Sequence, residues 1–529
     1  MLLLRTAENR KARRTRRWRI GTAFAVGLCL QGLFYTPAIL ANGWEHLAIP
    51  RQALLKALQS GDDHAMAHAA VSLGVRREAK DVMPLLAALE LAADSPGVRS
   101  EIYTALGMIG DVRALPRLVE ALESEPREEL RAAAAVALGE IGAPEGLPHL
   151  LYALETEAPR VRLRVVDALG AFAHTDSVAA LAGLLDDRPD SPLELRALQA
   201  LGRTGAKSAA EPLLQALART QNDRALAIII DALAKIASPL AVEPLTDLLA
   251  ETDDPVLRVK TAAALGAVAD EGVLATLTDL LEDDSQAVRA AAVRQLTEAK
   301  APETAPPLLE LYRQLAAQRP PHASPEQPDD PLSYVADLDL MLLTVRALLE
   351  TDPRVGLDAF IDGAKHRNFR RDSAIGLKLA RKSYELRRLS VTGLGYTNAA
   401  PAAEVLRRYA MEEPNHRIRA AAVRSLGVLG EAGAFKVVLH ALTDEHPEVR
   451  LNAAAVLGRL GDPRAVPGLI ERLRDPHAEV RVQAAASLGF LDDPRAIAPL
   501  ERLERDAHQA KVRETARQAL LLLADDNAD

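Results

Sequence analysis

Val449-Arg450-Leu451-Asn452-Ala453-Ala454-Ala455-Val456-Leu457-Gly458 is the stretch that decides how this chain folds. The same pattern starts at Val98, Leu130, Val161, Leu193, Leu257, Val288, Ile418 and Val480. Its leucine recurs as Leu73, Leu106, Leu138, Leu169, Leu201, Leu233, Leu265 and Leu296, and again as Leu394, Leu426, Leu457, Leu488 and Leu520. Neighbouring rungs lie roughly 31–33 residues apart, a fixed period that marks a stacked repeat array.

One repeat shows how the array is built. After Gly461, Asp462 is a good N-cap and Pro463 suits a first helical turn. Val466, Leu469, Ile470 and Leu473 recur at helical spacing and predict a first helix with one apolar stripe. Asp475-Pro476-His477 breaks it. Val480, Ala484, Ala485 and Leu488 then form the stripe of a second helix, with Gly489 near its end. Such a hairpin cannot bury both stripes alone, so each must stack on the next, and the alanines let second helices approach closely.

Two further residues keep the period. A proline early in each first helix (Pro84, Pro116, Pro148, Pro212, Pro244, Pro467, Pro499) is expected to bend that helix without ending it. An arginine follows the opening apolar residue of each second helix: Arg99, Arg131, Arg162, Arg258, Arg289, Arg419, Arg450 and Arg481. It often follows an acidic turn such as Asp444-Glu445, which predicts a structural tie between helix and turn.

Asp-Pro-x-Ala-Val-Pro followed by Val-Arg-x-x-Ala-Ala-x-Ala-Leu-Gly resembles a HEAT repeat, in the short form of phycobilisome lyase subunits and deoxyhypusine hydroxylases. The resemblance implies an all-α fold, a right-handed alpha-solenoid of short helical hairpins with second helices lining its concave face. The hydroxylases bind two irons through His-Glu dipeptides that open second helices. Here those positions read Ser100-Glu101, Ala132-Ala133, Leu163-Arg164, Val259-Lys260, Ala290-Ala291, Ala420-Ala421, Leu451-Asn452 and Val482-Gln483, and the chain contains no His-Glu dipeptide. The resemblance therefore implies no iron site here. His446 and His477 hold equivalent turn positions, with His416 and His508 close to the same place. Helices stacked about 8–10 Å apart should keep such histidines from sharing a metal. No metal, cofactor or catalytic residue is assigned, and no phosphate loop or nucleophile elbow occurs.

Composition agrees with thin helical layers. Aromatics are 3% of 529 residues, and the single cysteine, Cys29, leaves the body without disulfide or thiolate chemistry. The net charge of −9 hides an N-terminal segment, residues 1–19, of about +7. From Ile20 to Trp44 no residue is charged. Residues 20–41 therefore read as one N-terminal membrane segment, either a transmembrane anchor or a signal peptide. Basic charge before it keeps 1–19 in the cytoplasm. The expected location is membrane-anchored with the repeats outside the cytoplasm (periplasmic in a Gram-negative cell), or secreted after cleavage.

The rhythm breaks between Leu296 and Leu394. HEAT-like repeats are expected over 50–318 and 417–526, with a Pro-rich loop at 319–332 and a diverged basic helical insertion at 333–416, in which Leu340–Ala364 reads as one hairpin. The candidate partner-binding residues lie in that insertion: Lys365, Arg367, Phe369, Arg370, Arg371, Lys378, Arg381, Lys382, Arg387 and Arg388. Elsewhere the expected concave positions are of mixed sign, Arg164, Arg203, Arg424 and Arg459 among Glu101, Glu140 and Asp167. The reading is a non-catalytic protein–protein interaction scaffold, exported or membrane-anchored. Its partner is a protein or peptide on the concave face or the basic insertion, and the membrane through the N-terminal segment; nucleic acid is disfavoured for an exported domain. The alternative is an enzyme related to HEAT-like lyases or hydroxylases with a non-standard site.

Overall fold

The computed structural model describes residues 49–185, 191–268, 270–317, 331–366, 374–430 and 433–525. The chain divides into two compact units, Met1–Ala241 and Val242–Asp529. The described residues form helices and turns, with no strand among them.

The first unit stacks hairpins. First and second helices pair as Arg51–Leu58 with Asp63–Arg76, Val82–Leu91 with Pro96–Ile109, and Leu115–Ser124 with Glu128–Ile141. Leu147–Thr156 with Pro159–Leu169, Thr175–Ala182 with Pro192–Thr204, and Ala210–Arg219 with Asp223–Ile236 follow. In the second unit Val242–Glu251 pairs with Pro255–Val268, Glu271–Asp279 with Gln286–Ala299, Ala305–Ala317 with Pro331–Thr351, and Leu357–Ala364 with Ala374–Leu394. Ala400–Glu412 with His416–Leu429, Ala434–Ala441 with Pro447–Leu460, Val466–Arg472 with Ala478–Leu491, and Ile497–Asp506 with Ala510–Asp525 complete it. Within each unit every second helix packs on the next second helix. The ladder leucines from Leu73 to Leu488 are buried, and only the last, Leu520, is half-buried. Each fully buried rung contributes on the order of 1.5–3 kcal/mol.

The rung glycine has a job that its place near a helix end did not reveal. In most repeats it lies inside the helix, where neighbouring second helices nearly touch. A Cβ on Gly139 would lie 2.6 Å from Ala168 Cα, and one on Gly489 2.9 Å from Ala519 Cα. The helices end instead at residues in the left-handed region, such as Gly142 (φ +65°) and Gly461 (φ +68°). Gly139→Ala is therefore expected to cost roughly 1–3 kcal/mol by overpacking. Gly97, with nothing near its missing Cβ, is the control. Gly97→Ala should leave stability unchanged or slightly higher. Urea midpoints of the two variants check the contrast.

The periodic prolines fall in the first turn of their helices. Where Asp-Pro-x-Ala occurs, Pro463–Ala465 and Pro494–Ala496 form short 3₁₀ turns, capped by Asp462 and Asp493. The α-helix starts afterwards, so Pro467 falls in its first turn, where no intrahelical donor is lost.

The arginine period is a latch with two ends. Arg450 Nη1 donates to the carbonyls of Asp444 (2.8 Å) and Glu445 (3.0 Å), closing the turn of its own hairpin as expected. Its Nε and Nη2 also reach forward to Asp475 of the next hairpin, at 2.7 and 2.9 Å. Arg131 and Arg419 repeat this with Glu157 and Asp444 at 2.8 Å. Arg99 reaches Glu125, and Arg258 reaches Asp283.

The stretch 333–416 is helical over nearly all its described residues and sits within the stack. Pro331–Thr351 and Leu357–Ala364 do not form one hairpin with each other. The first is the second helix of one repeat, and the other is the first helix of the next. The ladder looks broken here because Pro331–Thr351 and Ala374–Leu394 are each 21 residues long, against 13–14 in most repeats, and because the connections 318–330 and 365–373 add further residues to the sequence period. Most of the Pro-rich stretch 319–332 lies outside the described residues.

One expectation is corrected. No helix among the described residues is long and apolar enough to cross a membrane. Segment 20–41, the sole basis for a membrane-anchored or secreted location, lies outside the described residues. The stacked fold itself needs no bilayer, since its apolar stripes are buried against one another. The membrane-anchored or exported location is withdrawn.

Candidate protein-binding surface

The structure separates the basic residues singled out above. Arg367, Phe369, Arg370 and Arg371 lie outside the described residues. Arg387 is buried and serves as a repeat arginine. Its Nη2 donates to Glu413 at 2.6 Å and its Nε to the Ala364 carbonyl at 3.3 Å, so it is not presented to a partner. Lys382 is half-buried and paired with Asp339. Arg381, although highly exposed, bonds Glu385 one turn on at 3.0 Å. Lys365, Lys378 and Arg388 are exposed and carry no ion pair among the described residues. Along Ala374–Leu394, helical spacing puts Leu377, Lys378, Arg381 and Arg388 on one outward stripe. Leu377 is 53% exposed.

The second-helix face of the first unit carries a cleft lined by Glu101, Glu140, Arg164, Asp167 and Arg196. The Asp167 carboxylate accepts from Arg196 at 3.2 Å and Arg203 at 3.1 Å, with Arg164 at 3.5 Å. The Glu140 side chain reaches solvent, but the cleft walls remove enough of its water to push its carboxyl up to about 7, against the pull of Arg77. Desolvation likewise raises Glu101. These signs are mixed and largely self-neutralised, as read from the sequence.

The histidine row departs from expectation. His416 and His446, from neighbouring repeats, stack ring on ring at 3.4 Å and 14°. With Glu448 they place ligand atoms within 4.8 Å of one another. The helix spacing was a poor guide because both side chains project from turns at the helix starts and lean together. Burial and then the neighbouring imidazole lower the pKa of His416, opposed by Glu448. Near-parallel rings aim their lone pairs side by side, whereas one ion at about 2 Å needs them to converge. His446 Nδ1 also accepts the Glu448 N–H at 3.3 Å, capping its helix. Of the three residues, His446 serves a helix end.

One set of surface residues escaped the sequence reading. Tyr396 (52% exposed), Val428 (43%), Phe490 (72%) and Leu522 (48%) are large, apolar and outward-facing. The available signal was positional, since the first three directly follow the glycine of a Leu-Gly step. Arg459 follows the intervening step and is exposed too.

Stacked hairpins, buried ladder leucines and latching arginines define a helical-repeat protein. A HEAT-repeat model matches residues 51–139, 118–202, 188–266, 249–318, 376–446 and 435–521. The chain belongs to the HEAT-repeat family. Among solved structures, it is similar to Kap95p studied with RanGDP, at 14% identity over 91% of this chain and 72% of that one, TM-score 0.53. The Kap95:Nup1 complex gives 14% identity, 93% and 76% coverage, and TM-score 0.50. Human deoxyhypusine hydroxylase gives 18% identity over 54% of this chain and 96% of that one, TM-score 0.23. The two likenesses to Kap95p concern the fold. No curated protein matches the sequence.

Proposed function

We propose that this chain is a non-catalytic scaffold that binds a protein partner on the outward face of its second helices. The observation that carries the proposal is the stripe on Ala374–Leu394. There Lys378, Arg381 and Arg388 flank the exposed Leu377, inside a chain of net charge −9. A local basic stripe with an apolar neighbour suits an acidic protein segment. A net acidic chain does not steer toward a long polyanion. The similarity to Kap95p in its complex with Nup1 supports a role in protein binding. Hydroxylase chemistry is not part of this reading, because the second-helix openings lack His-Glu pairs.

Because helices 331–351 and 374–394 are part of the stack, deleting 333–416 would disrupt the fold. Charge reversal tests the stripe instead. The triple variant Lys378→Glu, Arg381→Glu, Arg388→Glu is expected to keep its helical circular dichroism and lose most captured partner. Wild-type capture should weaken with rising salt. Unchanged capture by the triple variant would overturn the assignment of this stripe.

A further inference from the structure

The arginine latch takes a carboxylate from the following hairpin, and the last hairpin lacks it. Arg99, Arg131, Arg258, Arg387, Arg419 and Arg450 pair with Glu125, Glu157, Asp283, Glu413, Asp444 and Asp475. The acceptor residue has a second contact, because its backbone carbonyl takes the arginine of its own hairpin. The Glu413 carbonyl accepts from Arg419 at 2.9 Å, and the Asp475 carbonyl from Arg481 at 2.6 Å. In the last hairpin that carbonyl belongs to Ala507, which accepts from Arg513 at 2.8 Å. Ala507 also has the backbone of this position. Its φ and ψ are −73° and 126°, against −65° and 128° for Glu125 and −68° and 124° for Glu413. Alanine therefore stands where the carboxylate belongs. Arg481 Nη2 donates instead to the neutral Gln509 Oε1 at 3.0 Å, and its Nε makes no hydrogen bond among the described residues.

A cleft opens at that place. Arg481 lines it together with Arg474 and Arg502, over a floor of Ile470, Leu473 and Leu503. None of the three arginines has an ion pair among the described residues. The cleft's one carboxylate, Asp506, is exposed and also without an ion pair among them, so three guanidiniums face one negative charge. Arg481 is half-buried where Arg419 and Arg450 are buried, which leaves its guanidinium within reach of a ligand. Arg289 too has no forward carboxylate among the described residues, but its cleft is lined by Glu282, Asp283 and Asp284, which repel an anion.

We propose that this cleft binds an acidic side chain of a partner protein, whose carboxylate completes the Arg481 latch while an adjacent apolar residue rests on Ile470, Leu473 and Leu503. The ligand is chosen by the latch itself, since six equivalent arginines hold a carboxylate. The fork of a guanidinium matches a carboxylate with two parallel N–H bonds. Arg450 makes both to Asp475, through Nε at 2.7 Å and Nη2 at 2.9 Å. Arg474 and Arg502 add attraction at the rim. The proposal rests on the scaffold reading above for the source of the carboxylate. It adds a second site, in different hairpins from the Lys378 stripe.

The test uses the full chain and the peptide Ala-Leu-Glu-Leu-Ala, amidated and carrying an uncharged fluorophore, followed by fluorescence anisotropy. Replacing its Glu by Gln is expected to weaken binding by about tenfold or more. Ala507→Glu supplies the carboxylate from within, as Glu125 and Glu157 do after helices of the same length. That variant should show a higher thermal midpoint and bind the peptide about tenfold or more weakly. Arg502→Gln, at an exposed position, should weaken binding several-fold with its thermal midpoint unchanged. The Lys378/Arg381/Arg388 reversal should bind the peptide as wild type does. Absence of binding, equal binding of the Glu and Gln peptides, or a lowered midpoint or undiminished binding in Ala507→Glu would each overturn the proposal. A phosphoserine peptide that bound more than about tenfold tighter than the Glu peptide would overturn the carboxylate as the ligand. If the peptide fails while the Lys378/Arg381/Arg388 reversal still abolishes partner capture, the scaffold reading stands and only this site falls.

Discussion

Arg450→Ala is expected to cost roughly 3–5 kcal/mol, because it strands a buried charge. The Asp475 side chain is fully buried and its arginine partner only 8% exposed. Removing the guanidinium unpairs the carboxylate and also strips the Asp444 and Glu445 carbonyls of their donor. Arg472, at 3.8 Å, is too far to replace it with a good hydrogen bond. The exposed Lys80–Glu78 pair is the control: it is short, at 2.5 Å, but solvated, and Lys80→Ala should be indistinguishable from wild type.

Acid adds a signature. Burial pushes the Asp475 carboxyl up, but the Arg450 guanidinium and the His477 N–H outweigh it and hold the folded pKa below the usual value. The pair's contribution is thus present above the unfolded carboxyl pKa of about 4 and is lost as pH falls through the lower folded value. Asp444, held down by Arg419 against its own burial, behaves alike. In Arg450→Ala only burial and the backbone donor remain, the aspartate binds a proton more readily, and the penalty should shrink on acidification. Urea midpoints at pH 7, 5 and 4 measure both the size and the trend. A penalty that stays flat across that range would remove the stranded carboxylate as its cause.

The fold was legible because stacking repeats a chemical demand. Most hairpins meet that demand with a leucine and a close-approach glycine, so it reappears as a period. The forward half of the arginine latch was not legible. Arg450 and Asp475 stand 25 residues apart, and nothing local marks them as partners. The break between Leu296 and Leu394 misled for a related reason. Longer second helices and longer connections keep the stacking rule but stretch its period in sequence, so an intact row reads as an insertion. The candidate surface was legible in part. Lys378, Arg381 and Arg388 are outward-facing as charge suggested, whereas Arg387, one residue from Arg388, faces the core and latches Glu413. Composition cannot separate neighbours that helix rotation sends opposite ways.

Leu457→Ala is expected to cost roughly 2–5 kcal/mol, the range for truncating a leucine in a core that cannot collapse around the cavity. Leu457 is fully buried. Collapse is blocked because Gly458 already holds the adjacent helices at contact: a Cβ there would lie 2.6 Å from Ser487 Oγ and 3.0 Å from Ser487 Cα. The helices therefore cannot move closer to fill the space. Leu520 holds the equivalent position in the last described hairpin but is only half-buried. Leu520→Ala should cost clearly less, which separates burial from ladder position. Because each hairpin touches only its neighbours, the Leu457 cavity should loosen the stack locally before the unit melts. Hydrogen exchange of Pro447–Leu460 and Ala478–Leu491 should rise more than that of Gln286–Ala299 in the same unit. Uniform acceleration across these helices would mean that the unit unfolds as one block, and a stability change near zero would remove Leu457 from the core.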